Sequence, residues 1–288
     1  MSLQTFSREI AHIEHLVKNG AELTPALFDS IPLDIMGLLY LYCLDEYPHL
    51  KARLPEMPPA EVQQQWTGSD GHTLMVQSCA FVKTMTNSFE RITGGNLALS
   101  NVLDYGCGWG RISRLMLKYI STTNIWAIDP WDKSIELCRQ HRVPVNLAIS
   151  DYLPKSLPVG DVCFDLIFAF SVFTHLSEKC AGQVLKVLRE YINDHGLLAI
   201  TIRPPEYWTA IHSQYPAGKD SQAMIDMYNT EGFAFIPHNR EPIDGDITYG
   251  DASISLDYIR NKWRDWEICT TEVNLVDPYQ VIVFMRPI

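Results

Sequence analysis

The sequence predicts an α/β protein: a mostly parallel sheet covered by helices and preceded by an all-helical N-terminal region. Three observations predict it. From residue 101 onward, short apolar runs alternate with amphipathic helical patterns, the rhythm of strand, crossover helix and parallel strand. A turn rich in glycine, Gly106, Gly108 and Gly110, joins the first of those runs to a helix, where backbone freedom is needed for a tight bend or for a close approach. Before residue 95, apolar residues recur at three- and four-residue steps, which aligns them on helical faces. A chain of 288 residues, 47% hydrophobic, has enough apolar surface to bury a core of that size.

In chain order, Phe6, Ile10, Ile13 and Val17 share one helical face. Thr24-Pro25 and Ser30-Ile31-Pro32 read as helix starts, because proline is tolerated in a first turn where its missing N–H has no partner to lose. Short helices around Leu27 and over 33–44 follow, then a proline-bearing connector over 48–59. Val82, Met85, Phe89 and Ile92 mark a further amphipathic helix that stops before Gly94-Gly95. Strands are expected over 101–105, 124–129, 145–149, 164–170 and 196–202, with helices over 111–119, 133–139 and 178–192. The segment 203–250 combines prolines, aromatics and no clear period, and is expected to be an irregular insertion. A helix over 256–263 then precedes strands over 266–273 and 280–285, which Asp277-Pro278 can join as an antiparallel hairpin. These readings divide the chain into a helical cap, 1–95, a core formed by 96–203 and 255–288, and an inserted substrate lid, 204–254.

Composition narrows the function. The formal net charge is -11, so a nucleic-acid backbone meets a mostly repulsive surface, and a small molecule, a sugar or a protein is the better partner. Seven cysteines are scattered with no C-x-x-C pair, which reads as reduced thiols rather than a disulfide frame or a zinc site. Residues 1–10 lack the apolar stretch of a signal peptide, and the longest apolar run, 35–44, is half the roughly 20 residues a bilayer crossing needs. A soluble cytoplasmic protein is expected, with no membrane partner and with homodimer formation left open. Glu241, Asp244, Asp246 and Asp251 lack calcium-loop spacing, and no metal is expected.

The chemistry concentrates at Asp104-Tyr105-Gly106-Cys107-Gly108-Trp109-Gly110. Free amides at the start of the helix that follows can face the polar end of a ligand. The glycine spacing is G-x-G-x-G, one residue shorter than the dinucleotide fingerprint. Asp104, at the strand end, would repel a pyrophosphate and attract an ammonium or sulfonium group. The turn therefore favours a ligand carrying positive charge. Asp129 ends the next strand, 23 residues after Gly106, near the ~20 at which an acidic residue can reach ribose hydroxyls.

On these residues the stretch 101–202, completed by 256–288, resembles the class I S-adenosylmethionine-dependent methyltransferases. The resemblance implies a Rossmann-like seven-stranded methyltransferase sheet, mostly parallel with the last strand antiparallel, and S-adenosyl-L-methionine as cofactor. It assigns Asp104, Tyr105, Gly106, Cys107, Gly108 and Gly110 to the methionine end of the cofactor, and Asp129 to the ribose. Pro130 and Trp131 fall where the family places apolar residues against adenine. Asp151, with Tyr152 beside it, falls where the adenine amino group is received, and Phe170 closes the fourth strand.

Methyl transfer from a sulfonium is an in-line displacement, so alignment supplies much of the rate and a base is needed only when the acceptor must lose a proton. His175, in Ser171-Val172-Phe173-Thr174-His175-Leu176 after the fourth strand, is the candidate base for a hydroxyl. The Asn- or Asp-Pro-Pro-aromatic motif of nucleic-acid amino methylation is missing from this point, so O-methylation of a small molecule or sugar-containing metabolite is favoured. Within the insertion, Arg203, Tyr207, His238 and Tyr249 are candidate acceptor residues, with Trp208, His212, Tyr215, Tyr228 and Arg240 also able to line a pocket. Two other readings stand beside this one: an aminopropyl transferase-like enzyme, weakened because no carboxylate lies between Phe170 and Ser177, and a non-catalytic S-adenosylmethionine-binding module.

Overall fold

The computed structural model describes residues 3–42, 44–210 and 221–288; Cys43, His212 and Tyr215 lie outside them. The chain divides into two compact units, Met1–Ile149 and Ser150–Ile288.

The first unit begins with five helices: α1 (Ser7–Lys18), α2 (Leu33–Tyr42), α3 (Pro48–Arg53), α4 (Ala60–Thr67) and α5 (Gly71–Thr93). Ile10, Ile13 and Val17 form the buried face of α1, while Phe6 precedes the helix as its N-cap. In α5, Val82, Met85 and Phe89 are buried, and the helix stops at Gly94, whose left-handed φ lets its N–H turn back to the Glu90 carbonyl. The connector over 48–59 is more ordered than its prolines suggest, because Pro48 opens α3. Its remainder is clasped by backbone and side-chain bonds: Arg114 donates to the Glu56 carbonyl at 2.5 Å, the Glu56 N–H donates to the His141 carbonyl, and Arg142 donates to the Lys51 and Ala52 carbonyls.

Three strands complete this unit, β1 (Val102–Tyr105), β2 (Ile125–Asp129) and β3 (Asn146–Ile149), with β2 paired in parallel to both neighbours. The helix after β1, α6, covers only Ser113–Met116 where the sequence suggested 111–119. The Arg114 carbonyl accepts the Tyr40 hydroxyl, and the N–H groups of Lys118 and Tyr119 reach back three residues rather than four, so the last turns tighten out of α geometry. After β2, α7 (Asp132–Gln140) buries Ile135 and Cys138 against Ala127 and Val143.

The second unit holds β4 (Phe164–Ala169), α8 (Glu178–Tyr191), β5 (Ile192–Ile202), α9 (Glu206–Ala210), α10 (Ser221–Glu231), β6 (Phe233–Pro237), β7 (Gly250–Ile254), α11 (Leu256–Lys262), β8 (Trp266–Val273) and β9 (Val281–Pro287). β4 and β5 are parallel, β9 runs antiparallel to β5, and β8 pairs with the far edge of β9. The turn between β8 and β9 closes through Asp277 and Gln280, as its Asp-Pro chemistry suggested. Strand order is β3-β2-β1 in the first unit and β4-β5-β9-β8 in the second, where β6 and β7 form a separate two-stranded sheet.

The insertion is folded, not irregular. β6 and β7 form an antiparallel hairpin, and Ala234, Ile236 and Trp208 make a small core against Met224, Ile225 and Tyr228 of α10. β7 and the residues before it also run along the segment after β4: Gly250 donates to the His175 carbonyl, Ala252 to the Thr174 carbonyl, and Ser177 to the Thr248 carbonyl. Among the described residues, no helix is long and apolar enough to cross a membrane.

Candidate active site

In the first unit the glycine turn adopts three left-handed backbone positions, Gly106 at φ 75°, Gly108 at 54° and Gly110 at 76°, which residues with a Cβ resist. Gly106 and Cys107 both donate to the Ile128 carbonyl, at 2.8 and 3.0 Å, tying the turn to the end of β2. The other two glycines have different reasons. A Cβ on Gly110 would sit 2.9 Å from Val143, whereas one on Gly108 would meet only Trp66, at 3.9 Å. Gly110 lets the turn pack on the core, and Gly108 meets the Trp66 ring at ordinary contact distance.

Arg114 holds the turn from behind. It is fully buried, donates to the carbonyls of Trp109, Gly110 and Glu56, and lies over the Trp109 ring at 4.7 Å. Burial lowers its pKa to about 10, which leaves the guanidinium charged at neutral pH. Sequence reasoning missed this residue, because nothing in its spacing distinguishes it from any arginine on a helix. Tyr105 and Cys107 are buried, Cys107 within the core that α7 covers. Their side chains serve packing, and what the turn offers a ligand comes from its backbone and its carboxylates.

Asp104 is buried and accepts a hydrogen bond from Ser113 Oγ at 2.5 Å. Burial pushes its pKa up to about 7, and the nearby Asp129 charge adds to the rise. A cation brought beside it would therefore be met by a carboxyl ready to ionise. Asp129 accepts three hydrogen bonds, from Gly108 N at 2.9 Å through Oδ2, and from Trp131 N at 2.9 Å and Ser134 Oγ at 2.8 Å through Oδ1. Burial raises its pKa and those donors oppose the rise. Oδ2 carries one protein donor and so has acceptor capacity to spare. Pro130 is half-buried and Trp131 is exposed on one side; the Trp131 ring stacks on Trp66 of α4 at 4.6 Å with 14° between planes.

In the second unit, Asp151 is exposed, Tyr152 is half-buried and its carbonyl accepts the Cys180 thiol, and Phe170 is half-buried at the end of β4. Ser171, next in the chain, has φ 59°, a conformation that a non-glycine residue holds at about 1–3 kcal/mol. Its N–H donates to Thr201 Oγ1 at 2.7 Å and its hydroxyl receives Gln280 Nε2 at 3.0 Å.

Arg203, Tyr207, His238 and Tyr249 do come together, and Asp251, which sequence reasoning had set among turn carboxylates, is their centre. Its Oδ1 accepts from Arg203 Nη1 at 2.6 Å and from the Tyr207 hydroxyl at 3.0 Å, and its Oδ2 accepts from His238 Nε2 at 2.9 Å. Arg203 also donates to the Thr174 carbonyl and lies 3.9 Å from the Tyr207 ring centroid.

His175 stands beside this group and stacks on Tyr249 at 5.0 Å. Its Nδ1 lies 2.7 Å from the Gly250 carbonyl and must donate to it, so Nε2, 3.0 Å from Arg203 Nη2, accepts from the guanidinium. Burial, and next the Arg203 charge, lower its pKa to about 3. The ring is thus held neutral with its lone pair already engaged. Base action at His175 would first require Arg203 to leave Nε2. Among the described residues no cluster of His, Cys, Asp and Glu has the make-up of a metal site.

Residues 102–196 match a family model described as a methyltransferase domain. This chain carries a methyltransferase domain. A curated relative, the malonyl-[acyl-carrier protein] O-methyltransferase of Legionella pneumophila, is 25% identical over 161 residues, which are 54% of this chain and 55% of that protein; the chain spans about half the length of the relative it matches. Two solved structures share the fold. The PH0226 protein from Pyrococcus horikoshii OT3 superposes with a TM-score of 0.52 at 14% identity, covering 73% of this chain and 90% of that one. An S-adenosylmethionine-dependent methyltransferase from Clostridium acetobutylicum ATCC 824 gives 0.51 at 13% identity, covering 79% and 97%.

S-adenosylmethionine is the cofactor that the sequence resemblance implies, and the residues present fit it. The glycine turn lets a ligand approach its backbone closely, Asp104 suits the cationic end, and Asp129 Oδ2 can accept from a ribose hydroxyl.

Proposed function

We propose that the chain as a whole is an S-adenosylmethionine-dependent O-methyltransferase of a small molecule or sugar-containing metabolite, and that the Asp251 network handles the acceptor. The observation that carries this reading is the buried Asp251 carboxylate, which gathers Arg203 and Tyr207 from one segment and His238 from another. Buried charge is retained where it orients something, since apolar packing of the same volume is often as stable.

A hydroxyl that attacks the methyl group forms an O–C bond as the C–S bond breaks, and its proton must go to a base. By sequence the candidate for that base is His175; within this network His238 is better prepared. Its Nε2 hydrogen is held by Asp251, which leaves a lone pair on Nδ1 and places a carboxylate where the imidazolium would form. In this reading His175 is a positioning residue that fixes Arg203 and Tyr249. Asp104, Asp129, Pro130, Trp131, Asp151, Tyr152 and Phe170 remain the proposed cofactor contacts.

The relative named for malonyl-[acyl-carrier protein] supports a second acceptor chemistry, a carboxylate, which loses no proton and would instead be held by cations such as Arg240, 4.2 Å from the Tyr249 ring. Transfer of methyl label from S-adenosylmethionine into fractionated cell extract separates the two. Label on oxygen that survives alkali supports a hydroxyl acceptor. Release of the label by alkali as methanol, or its recovery on nitrogen, overturns that reading.

A further inference from the structure

The helical N-terminal region lies outside the matched methyltransferase domain, yet one of its side chains reaches the glycine turn. Trp66, the seventh residue of α4, has its Cε3 3.9 Å from the point where Gly108 would carry a Cβ. Its ring also stacks on Trp131. The two residues it touches are bound to one carboxylate, since Asp129 receives both the Gly108 and the Trp131 N–H groups. Gly108, Asp129 and Trp131 thus form one clamp, and Trp66 lies against both of its ends.

We propose that Trp66 is a cofactor-binding residue: it packs on the nucleoside part of S-adenosylmethionine beside the glycine turn, and Trp131 acts as its support. The stacking geometry argues for support rather than a two-sided sandwich. Rings 4.6 Å apart and nearly parallel leave no room for a third ring between them, since each aromatic layer needs roughly 3.5 Å. The cofactor therefore meets the outer surface and edge of the pair, and Trp131 presents less of its face to adenine than its sequence position implies.

Trp66 is placed firmly enough for this role. α4 ends at Gly68 in the left-handed conformation with its N–H on the Gln64 carbonyl. One turn before Trp66, the buried Gln63 side chain donates to the Pro58 carbonyl at 2.7 Å and accepts from Gly71 N at 3.1 Å. Those two bonds lock the start of α4 to the start of α5, and Arg114 fixes the connector before α4 at Glu56. A half-buried indole on an anchored helix offers area at little entropic cost.

The test is calorimetric titration of wild type, Trp66→Ala and Trp66→Phe with S-adenosylmethionine, S-adenosylhomocysteine and 5′-methylthioadenosine. Trp66→Ala is expected to weaken all three by about tenfold, because the contact is to the nucleoside they share, and Trp66→Phe to recover most of the loss. Equal affinity of Trp66→Ala and wild type for all three overturns the proposal, as does a loss confined to the sulfonium compound. Should Trp66→Ala fail to fold, the exciton signal of the stacked tryptophans in the circular dichroism of the wild type decides: a change on adding S-adenosylhomocysteine supports the proposal, and an unchanged couplet overturns it. Wild type that binds none of the three ligands would instead remove the cofactor assignment itself.

Discussion

The glycine turn and the Asp251 network are built by opposite means. The turn is assembled from neighbours in sequence: Gly106 to Gly110 and Asp129 to Ser134 meet because two adjacent parallel strands end side by side, and backbone N–H groups make most of the bonds. The Asp251 network draws on residues 174–175, 203–207, 238 and 249–251, and most of its bonds run between side chains. Backbone geometry of the first kind is set by strand register and glycine. Geometry of the second kind depends on charge pairing inside a low-dielectric interior, where removing one member exposes the others to a large penalty.

The largest effect expected from this difference is at Asp251. Asp251→Ala leaves Arg203, 7% exposed, without its carboxylate, and is expected to lower unfolding stability by about 3–5 kcal/mol in urea titration. An unchanged midpoint would show that the network is not held together by that pair. Next comes the contrast between the two histidines. With a hydroxyl acceptor, His238→Gln is expected to reduce kcat roughly a hundredfold to ten-thousandfold while leaving cofactor affinity in place. If His175→Gln instead brings the larger loss and moves the pH–rate profile, the base belongs to His175.

At the glycine turn, Asp129→Ala removes the acceptor of three hydrogen bonds and is expected to weaken S-adenosylmethionine binding roughly tenfold to a hundredfold, the worth of one or two charge-assisted bonds. Wild-type affinity in that variant would end the ribose assignment. The smallest effect is a proton count. Asp104 titrates near pH 7 in the folded protein against an ordinary value of 3.8. Its raised pKa favours the folded state fully below the unfolded value, and that contribution is lost as pH rises through about 7. A cationic ligand pulls the pKa back down, so binding at pH 6.5 should release protons, measured by calorimetry in buffers of different ionisation enthalpy. Asp104→Asn should abolish the release; its persistence would place the titrating group elsewhere.

The sequence was most legible where structure is local. Strands over 125–129 and 146–149, the stop of α5 at Gly94 and the hairpin closed at Asp277 follow from alternation, glycine and turn chemistry. The hairpin of β6 and β7 was not legible, although Phe233-Ala234-Phe235-Ile236 is a short apolar run. Its partner lies a dozen residues away across a polar loop, and the prolines that follow the run, Pro237 and Pro242, masked the period. Asp251 looked like any loop carboxylate until the fold placed Arg203 against it.

By itself, the sequence determined the sheet, the glycine turn and the carboxylates Asp104 and Asp129, because strand period and left-handed glycines act over a few residues. Only the tertiary structure decided that Trp66 lies on Gly108, that Arg114 backs the turn, and that His175 has its lone pair engaged while His238 is paired to Asp251. Those contacts join residues tens of positions apart, and whether two such side chains meet is settled by packing of the whole chain rather than by any local pattern.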